Sequence, residues 1–215
     1  MHGKTRLALT KGRLEKDTVQ LLEKSGLNTD ILKNPKRKLI LDIPGYPLEI
    51  ILLKGSDVAT YVEHGVADLG VVGKDILLEN PKPVYEVADL GFGACRMAVA
   101  GPPAAAENGK KLLRVASKYP WIARNHFEAK GQSVEIIEQQ GSVELAPLMG
   151  LSDVIVDIVE TGNTLKANGL IIMEEILKIS ARLIVNKVSY KTRRVEMNAL
   201  IDMMEKQAAE KGDLG

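Results

Sequence analysis

The 215-residue sequence has a single cysteine, Cys95, which excludes an intramolecular disulfide framework and a cysteine-based zinc site. A reducing, cytoplasmic setting fits that usage. Its three histidines, His2, His64 and His126, are too scattered to suggest a metal cluster. Charge of one sign is missing as well: 29 Lys and Arg stand against 28 Asp and Glu, so there is no global basic field of the kind nucleic-acid binders carry, and any polyanion must be met locally. No apolar run approaches membrane-spanning length, and Met1 to Thr10 lacks the apolar centre of a signal peptide. The expectation is a soluble, non-exported protein with neither nucleic acid nor membrane as partner.

Several familiar motifs are absent too. A Walker A loop needs a glycine five residues before Gly-Lys-Ser/Thr, whereas Gly73-Lys74 has Asp68 at that position and Asp75 after it. Gly91-Phe-Gly93-Ala-Cys-Arg96 starts like a dinucleotide fingerprint and fails at its third glycine. There is no Gly-x-Ser-x-Gly elbow, no His-Glu-x-x-His and no kinase catalytic loop. P-loop, hydrolase and metalloprotease chemistry fall away.

What is present is a core. A hydrophobic content of 45% over this length supports one large or two small α/β domains. Apolar runs at Arg6–Thr10, Leu39–Ile43, Leu48–Leu53, Asp68–Val72, Cys95–Ala100, Leu113–Ser117, Val134–Ile137, Asp153–Asp157, Leu170–Leu177 and Ala181–Val185 read as strands. Helical patterns fall at Leu14–Ser25, from Ser56 to Gly65, Pro120–Lys130, Ser142–Met149 with Ser142 as N-cap, and Val195–Glu210 with Leu200, Ile201 and Met204 on its apolar face. Pro102–Asn108 reads as a polar excursion, and Trp121, Met203 and Met204 as packing residues, with the methionines also able to face another subunit. Leu39–Ile43 and Leu48–Leu53 flank Pro44-Gly-Tyr-Pro47 in a hairpin-like arrangement, and the wider alternation predicts parallel sheet built from βαβ units, in two lobes joined near Glu86–Gly93 and again near Ile176–Ala181. The expected boundaries are 1–90 plus 180–215 for lobe I and 91–179 for lobe II, with the ligand site in the cleft between them.

Five glycine or hydroxyl turns follow strands: Thr10-Lys-Gly-Arg13, Lys54-Gly-Ser-Asp57, Gly70-Val-Val-Gly-Lys-Asp75, Gly141-Ser-Val-Glu144 and Glu160-Thr-Gly-Asn-Thr164. In open α/β sheets ligands sit at the carboxyl ends of strands, where backbone N–H groups and helix dipoles attract anions. Each turn alone also reads as an ordinary strand-to-helix connection. Four that carry Lys, Arg or a nearby acid point to an anion-binding cleft.

The blocks Arg6–Leu14, Gly65–Asp75, Leu90–Arg96, Gly141–Pro147 and Asp157–Leu170 together resemble ATP phosphoribosyltransferase, the first enzyme of histidine biosynthesis, in order and spacing over nearly the whole chain. The resemblance implies a glycosyltransferase (pentosyltransferase) with an α/β fold of two lobes, like the type II periplasmic-binding proteins. It also implies transfer of phosphoribosyl from phosphoribosyl pyrophosphate to N1 of ATP, giving phosphoribosyl-ATP and pyrophosphate, with Mg²⁺ carried on the substrate phosphates and no metal held by the protein. By the same resemblance, Glu160, Thr161, Gly162, Asn163, Thr164 and Leu165 hold the 5-phosphate, and Asp157 faces the ribose. Lys11, Gly12, Arg13, Lys54, Asp68, Leu69, Gly70, Arg96 and Glu144 would line the ATP and pyrophosphate side, with Asp157, Lys11 and Arg13 catalytic. Ordinary type I phosphoribosyltransferases place two adjacent acids before a Thr-Gly-Gly-Thr turn. Here Ile158 follows Asp157, and Asn163 stands for the second glycine.

The long form of the family carries a regulatory domain after the last catalytic helix, and here Gly212-Asp-Leu-Gly215 closes the sequence. That resembles the short form, which implies a separate regulatory subunit resembling histidyl-tRNA synthetase, a hetero-octameric assembly and feedback inhibition by histidine through that subunit. Two other readings stay open at this level: a two-lobed small-molecule-binding module without catalysis, and a phosphoribosyltransferase with another acceptor base.

Overall fold

The computed structural model of the chain describes residues 3–33, 35, 37–107 and 112–212; His2, Asn108 and the last three residues of the sequence lie outside them. The chain forms two compact units. The first comprises Met1–Leu77, Pro81–Gly93 and Ser180–Gly215, the second Leu78–Asn80 and Ala94–Ile179.

Numbered in chain order, the first unit holds β1 (Thr5–Thr10), α1 (Arg13–Lys24), α2 (Asp30–Lys33), β2 (Ile40–Asp42), β3 (Leu48–Leu53), α3 (Gly55–Glu63), β4 (Leu69–Gly73), the start of α4 (Lys74–Glu79) and β5 (Tyr85–Asp89). Its later segment adds β11 (Ala181–Val185), α8 (Lys187–Thr192) and α9 (Arg194–Gly212). The strands order as β2-β3-β1-β4-β11-β5. β1 is parallel to both β3 and β4, and Leu7, Ala8 and Leu9 are fully buried because helices cover both faces of this central strand. The sheet is mixed: β2 joins β3 in antiparallel register, as the hairpin-like arrangement predicted, while β11 joins β4 and β5 in antiparallel register where the alternation predicted parallel pairing.

Helix packing follows from small and apolar positions. Met197, Leu200, Ile201 and Met204 recur at helical spacing along α9 and are buried in the first unit's core, so Met204 faces inward rather than toward another subunit. Burying each of these side chains contributes roughly 1.5–3 kcal/mol. Gly70 lets α3 approach the sheet: a Cβ there would lie 2.7 Å from Val58 Cγ1 and 2.9 Å from Val62 Cγ2.

The second unit runs β6 (Cys95–Gly101), a short 3₁₀ turn (Pro103–Glu107), β7 (Leu113–Ser117), α5 (Pro120–Ala129), β8 (Val134–Glu138), α6 (Leu145–Leu148), β9 (Val154–Val159), α7 (Asn163–Ala167) and β10 (Ile171–Ile179). Strand order is β10-β6-β9-β7-β8, with β7 parallel to β8 and β9, and β6 antiparallel to β9 and β10. One face of this sheet presents Met97, Val99, Val115, Val154 and Val156 to Ile122, Ala123 and Phe127 of α5. The other presents Ala98, Ala100, Ala116, Ile155 and Val159 to Val143, Ala146 and Leu165 around α6 and α7.

Three local expectations change. Residues 85–89, expected as part of a lobe joint, form β5, an edge strand in which only Ala88 is buried. The helix expected over Ser142–Met149 shortens to α6, with Glu144 and not Ser142 at its N-cap; Ser142 sits at φ 49°, outside the extended conformation usual for a serine N-cap. Trp121 is 52% exposed instead of packed. Among the described residues no helix is long and apolar enough to cross a membrane.

Candidate active site

β9 carries the apolar Val154, Ile155 and Val156 into the sheet and then delivers Asp157 near its carboxyl end. Side chains alternate along a strand, so Asp157 projects on the face of Ile155 and Val159, the face that α6 and α7 cover. Its cross-strand neighbour on β6 is Ala98, a small residue that leaves room beside the carboxylate. The Ile158 N–H donates to Asp157 Oδ1 at 2.8 Å, which restrains the side chain.

Past Val159 the chain turns sharply at Gly162, whose φ of 78° and ψ of 4° lie in the left-handed region that favours glycine. Asn163 then opens α7, its N–H directed at Thr161 Oγ1 (3.4 Å), and Leu165 anchors the helix by burial. The first N–H groups of a helix have no intrahelical acceptor. The turn encloses a hollow of about 230 Å³ lined by Glu144, Asp157, Ile158, Val159 and Glu160 to Leu165. No Lys or Arg is among these lining residues, so the hollow offers an anion backbone N–H groups and threonine hydroxyls, and offers a sugar carboxylates.

In the first unit, the carboxyl ends of the parallel strands present cations. Lys11 and Arg13 flank Gly12 directly after β1, and Lys54 follows β3 as the N-terminal flank of α3; all three are exposed. The Lys11 N–H donates to Leu53 O at 3.0 Å, tying the two turns together, and Gly55 approaches Thr10, where a Cβ would meet Thr10 Cγ2 at 3.2 Å. Lys74 also sits at a strand end, but its ammonium is held by Glu86 at 2.6 Å.

The family model of ATP phosphoribosyltransferase matches residues 54–206. ATP phosphoribosyltransferase of Alkaliphilus metalliredigens (strain QYMF) is 56% identical over 197 residues, covering 92% of this chain and 94% of that one. The Bacillus cereus (strain AH187) enzyme of the same name is 53% identical over 201 residues, covering 94% and 95%. The chain belongs to the ATP phosphoribosyltransferase family. Among solved structures, the ATP phosphoribosyl transferase (HisG:HisZ) complex from Thermotoga maritima matches with TM-score 0.82 and 36% identity over 96% of this chain and 99% of that one. The periplasmic aliphatic sulphonate binding protein SsuA of Escherichia coli matches at TM-score 0.60 and 10% identity, a likeness of fold alone. The α/β fold is thus of the two-lobed, type II periplasmic-binding-protein kind.

Four residues expected on the ATP and pyrophosphate side make structural contacts in this chain. Asp68 precedes β4, at the opposite end of that strand from Lys74, and is buried: its Oδ2 accepts from the Arg6 N–H (2.8 Å) and Arg193 Nη1 (3.2 Å), its Oδ1 from Ser189 Oγ (2.7 Å). That carboxylate fastens α8 and the start of α9 to β1. Leu69 is fully buried in the core, and Gly70 serves helix packing. Arg96 does not line the hollow; its Nη1 donates to Glu175 on β10 at 2.7 Å. Conversely, Ile158 and Val159 line the hollow and were not anticipated. Their β-branched character was the available signal, since it extends the strand run through Asp157 to Val159.

Proposed function

We propose that the chain transfers the phosphoribosyl group of phosphoribosyl pyrophosphate to N1 of ATP, releasing pyrophosphate in the first step of histidine biosynthesis. The observation that carries this reading is the hollow closed by the left-handed Gly162 turn with the Asp157 carboxylate on its wall, in a chain 56% identical to a named ATP phosphoribosyltransferase. A 5-phosphate seated on the Glu160–Leu165 turn directs the ribose toward Asp157. As the bond from the anomeric carbon to pyrophosphate breaks, its electron pair leaves with pyrophosphate, and the adenine N1 lone pair forms the new C–N bond. Positive charge that develops on the ribose in between is stabilised by Asp157, with Glu144 and Glu160 on the same hollow. No covalent nucleophile is required, because N1 already bears a lone pair.

Lys11, Arg13 and Lys54 are the cations assigned to the polyphosphates, and their exposed position after β1 and β3 supports that role. Mg²⁺ enters with the substrate phosphates as their counter-ion. A cytoplasmic setting suits a chain that consumes ATP. The Thermotoga maritima relative was solved as a HisG:HisZ complex, and this chain covers 99% of the matched one. That likeness supports a hetero-oligomer with a second, HisZ-type subunit; we propose that this partner resembles histidyl-tRNA synthetase, assembles with the chain into a hetero-octamer and carries histidine inhibition. Calorimetric titration with phosphoribosyl pyrophosphate and Mg²⁺, paired with pyrophosphate release on adding ATP, tests the reading: binding with ATP-dependent release is expected, and binding without release even with the partner present would favour a non-catalytic binding module.

A further inference from the structure

The N-terminus of α1 lies at the carboxyl end of β1, where a helix dipole and open N–H groups invite an anion. In this chain the N–H of the capping residue is bonded from within. Glu15, at the third position of α1, turns back so that its Oε2 accepts the Gly12 N–H at 3.1 Å. Gly12 stands at φ 111° and ψ −134°, a conformation that side-chain-bearing residues rarely adopt, and its carbonyl accepts the first helical bond, from the Lys16 N–H at 3.2 Å. Together with the bond from the Lys11 N–H to Leu53 O, this fastens the turn at each of its peptide groups. Lys11 and Arg13 project from either side of that fastened glycine.

We infer that Glu15 is a positioning residue for the phosphoribosyl transfer: by holding the Gly12 peptide, its carboxylate sets the directions of the Lys11 and Arg13 side chains toward the substrate polyphosphates. The inference rests on the assignment of those two cations made above. Without the Glu15 acceptor, the glycine turn samples other conformations, as glycine does readily, and the two cations lose their common orientation. Because the Gly12 N–H is already bonded to a protein carboxylate, substrate phosphate meets the lysine and arginine side chains and not that N–H.

Steady-state kinetics of Glu15→Ala and Glu15→Gln, each assembled with its regulatory partner, test this beside Lys11→Ala, Arg13→Ala and thermal unfolding of every variant. Glu15→Ala should raise KM for ATP or phosphoribosyl pyrophosphate about tenfold while kcat changes less. Glu15→Gln keeps an oxygen that can accept the Gly12 N–H, and should restore KM to within about twofold of wild type. A Glu15→Ala variant with wild-type KM and a lowered melting temperature would reduce Glu15 to a helix cap and overturn the inference. So would a Glu15→Gln variant that binds either substrate more tightly than wild type, since the carboxylate would then be competing with phosphate. If Lys11→Ala and Arg13→Ala leave kinetics intact, the cation assignment itself fails, which is distinguishable from the case in which they cripple the enzyme and Glu15→Ala does not.

Discussion

At the scale of single residues, the proposed transfer separates groups assigned to substrate from groups that hold the frame. Asp157 belongs to the first kind. Replacing it with asparagine keeps the shape and removes the charge proposed to face the ribose, so kcat should fall roughly 10²-fold while the melting temperature barely moves, as steady-state assay and thermal unfolding would report. Gly162 belongs to both kinds. A Cβ there meets Val159 Cγ1 at 3.7 Å and Ile172 Cδ1 at 3.9 Å, ordinary contacts, so the penalty of Gly162→Ala comes from its φ of 78° and not from crowding. Alanine should cost about 1 kcal/mol of stability and weaken phosphoribosyl pyrophosphate binding, whereas asparagine, which tolerates the left-handed region, should cost less; calorimetry on both variants compares them. Asp68 is of the second kind. Arg193→Ala would leave its buried carboxylate short of a partner, destabilising the first unit by roughly 2–4 kcal/mol with KM unchanged, measurable by denaturant unfolding alongside kinetics.

At the scale of elements, legibility in the sequence depended on how strongly each segment buries itself. β1, β3, β4 and β9 are centred on apolar runs with most of their residues buried, and they were visible as such. β5 was not, because Tyr-Glu-Val-Ala-Asp lies at a sheet edge with one buried residue, and α8 is a six-residue helix with none. Strand direction was hidden for a different reason. β11 joins β4 in antiparallel register across more than a hundred residues of chain, a pairing that no local pattern encodes. The candidate site divides the same way: the Glu160–Leu165 turn and Lys11–Arg13 are contiguous and legible, while the bonds of Asp68 to α8 and Arg193 are ones that only tertiary structure reveals.

The second unit also carries an ion cluster with a pH signature. Glu174 on β10 accepts from Lys130 and faces His126 Nε2 at 3.3 Å. The Lys130 hydrogen bond foremost, with the His126 charge adding to it, holds the Glu174 carboxyl below its usual range. A depressed folded-state pKa means the stabilisation is complete above the unfolded value, about 4.3, and is lost as pH falls through the lower folded value. Wild type should therefore melt above Glu174→Gln at pH 7, and the gap should close in acid. A gap that persists at pH 2–3 would place the contribution in packing.

At the scale of the whole molecule, two mixed sheets, the first with antiparallel strands at both flanks and the second at one, carry the candidate turns on the carboxyl ends of β1, β3 and β9, while the opposite end of β4 holds a structural latch, Asp68 with Arg193. The same fold serves sulphonate-binding proteins at 10% identity, so the turns and their charges, not the architecture, specify the chemistry. The most direct measurement mixes the purified chain, with and without a histidyl-tRNA-synthetase-like partner, with ATP, phosphoribosyl pyrophosphate, Mg²⁺ and pyrophosphatase, and follows the ultraviolet change as adenine N1 is substituted. Formation of phosphoribosyl-ATP that requires both substrates and is lost in Asp157→Asn is the predicted result; no product in either assembly, or undiminished product from the variant, would contradict it.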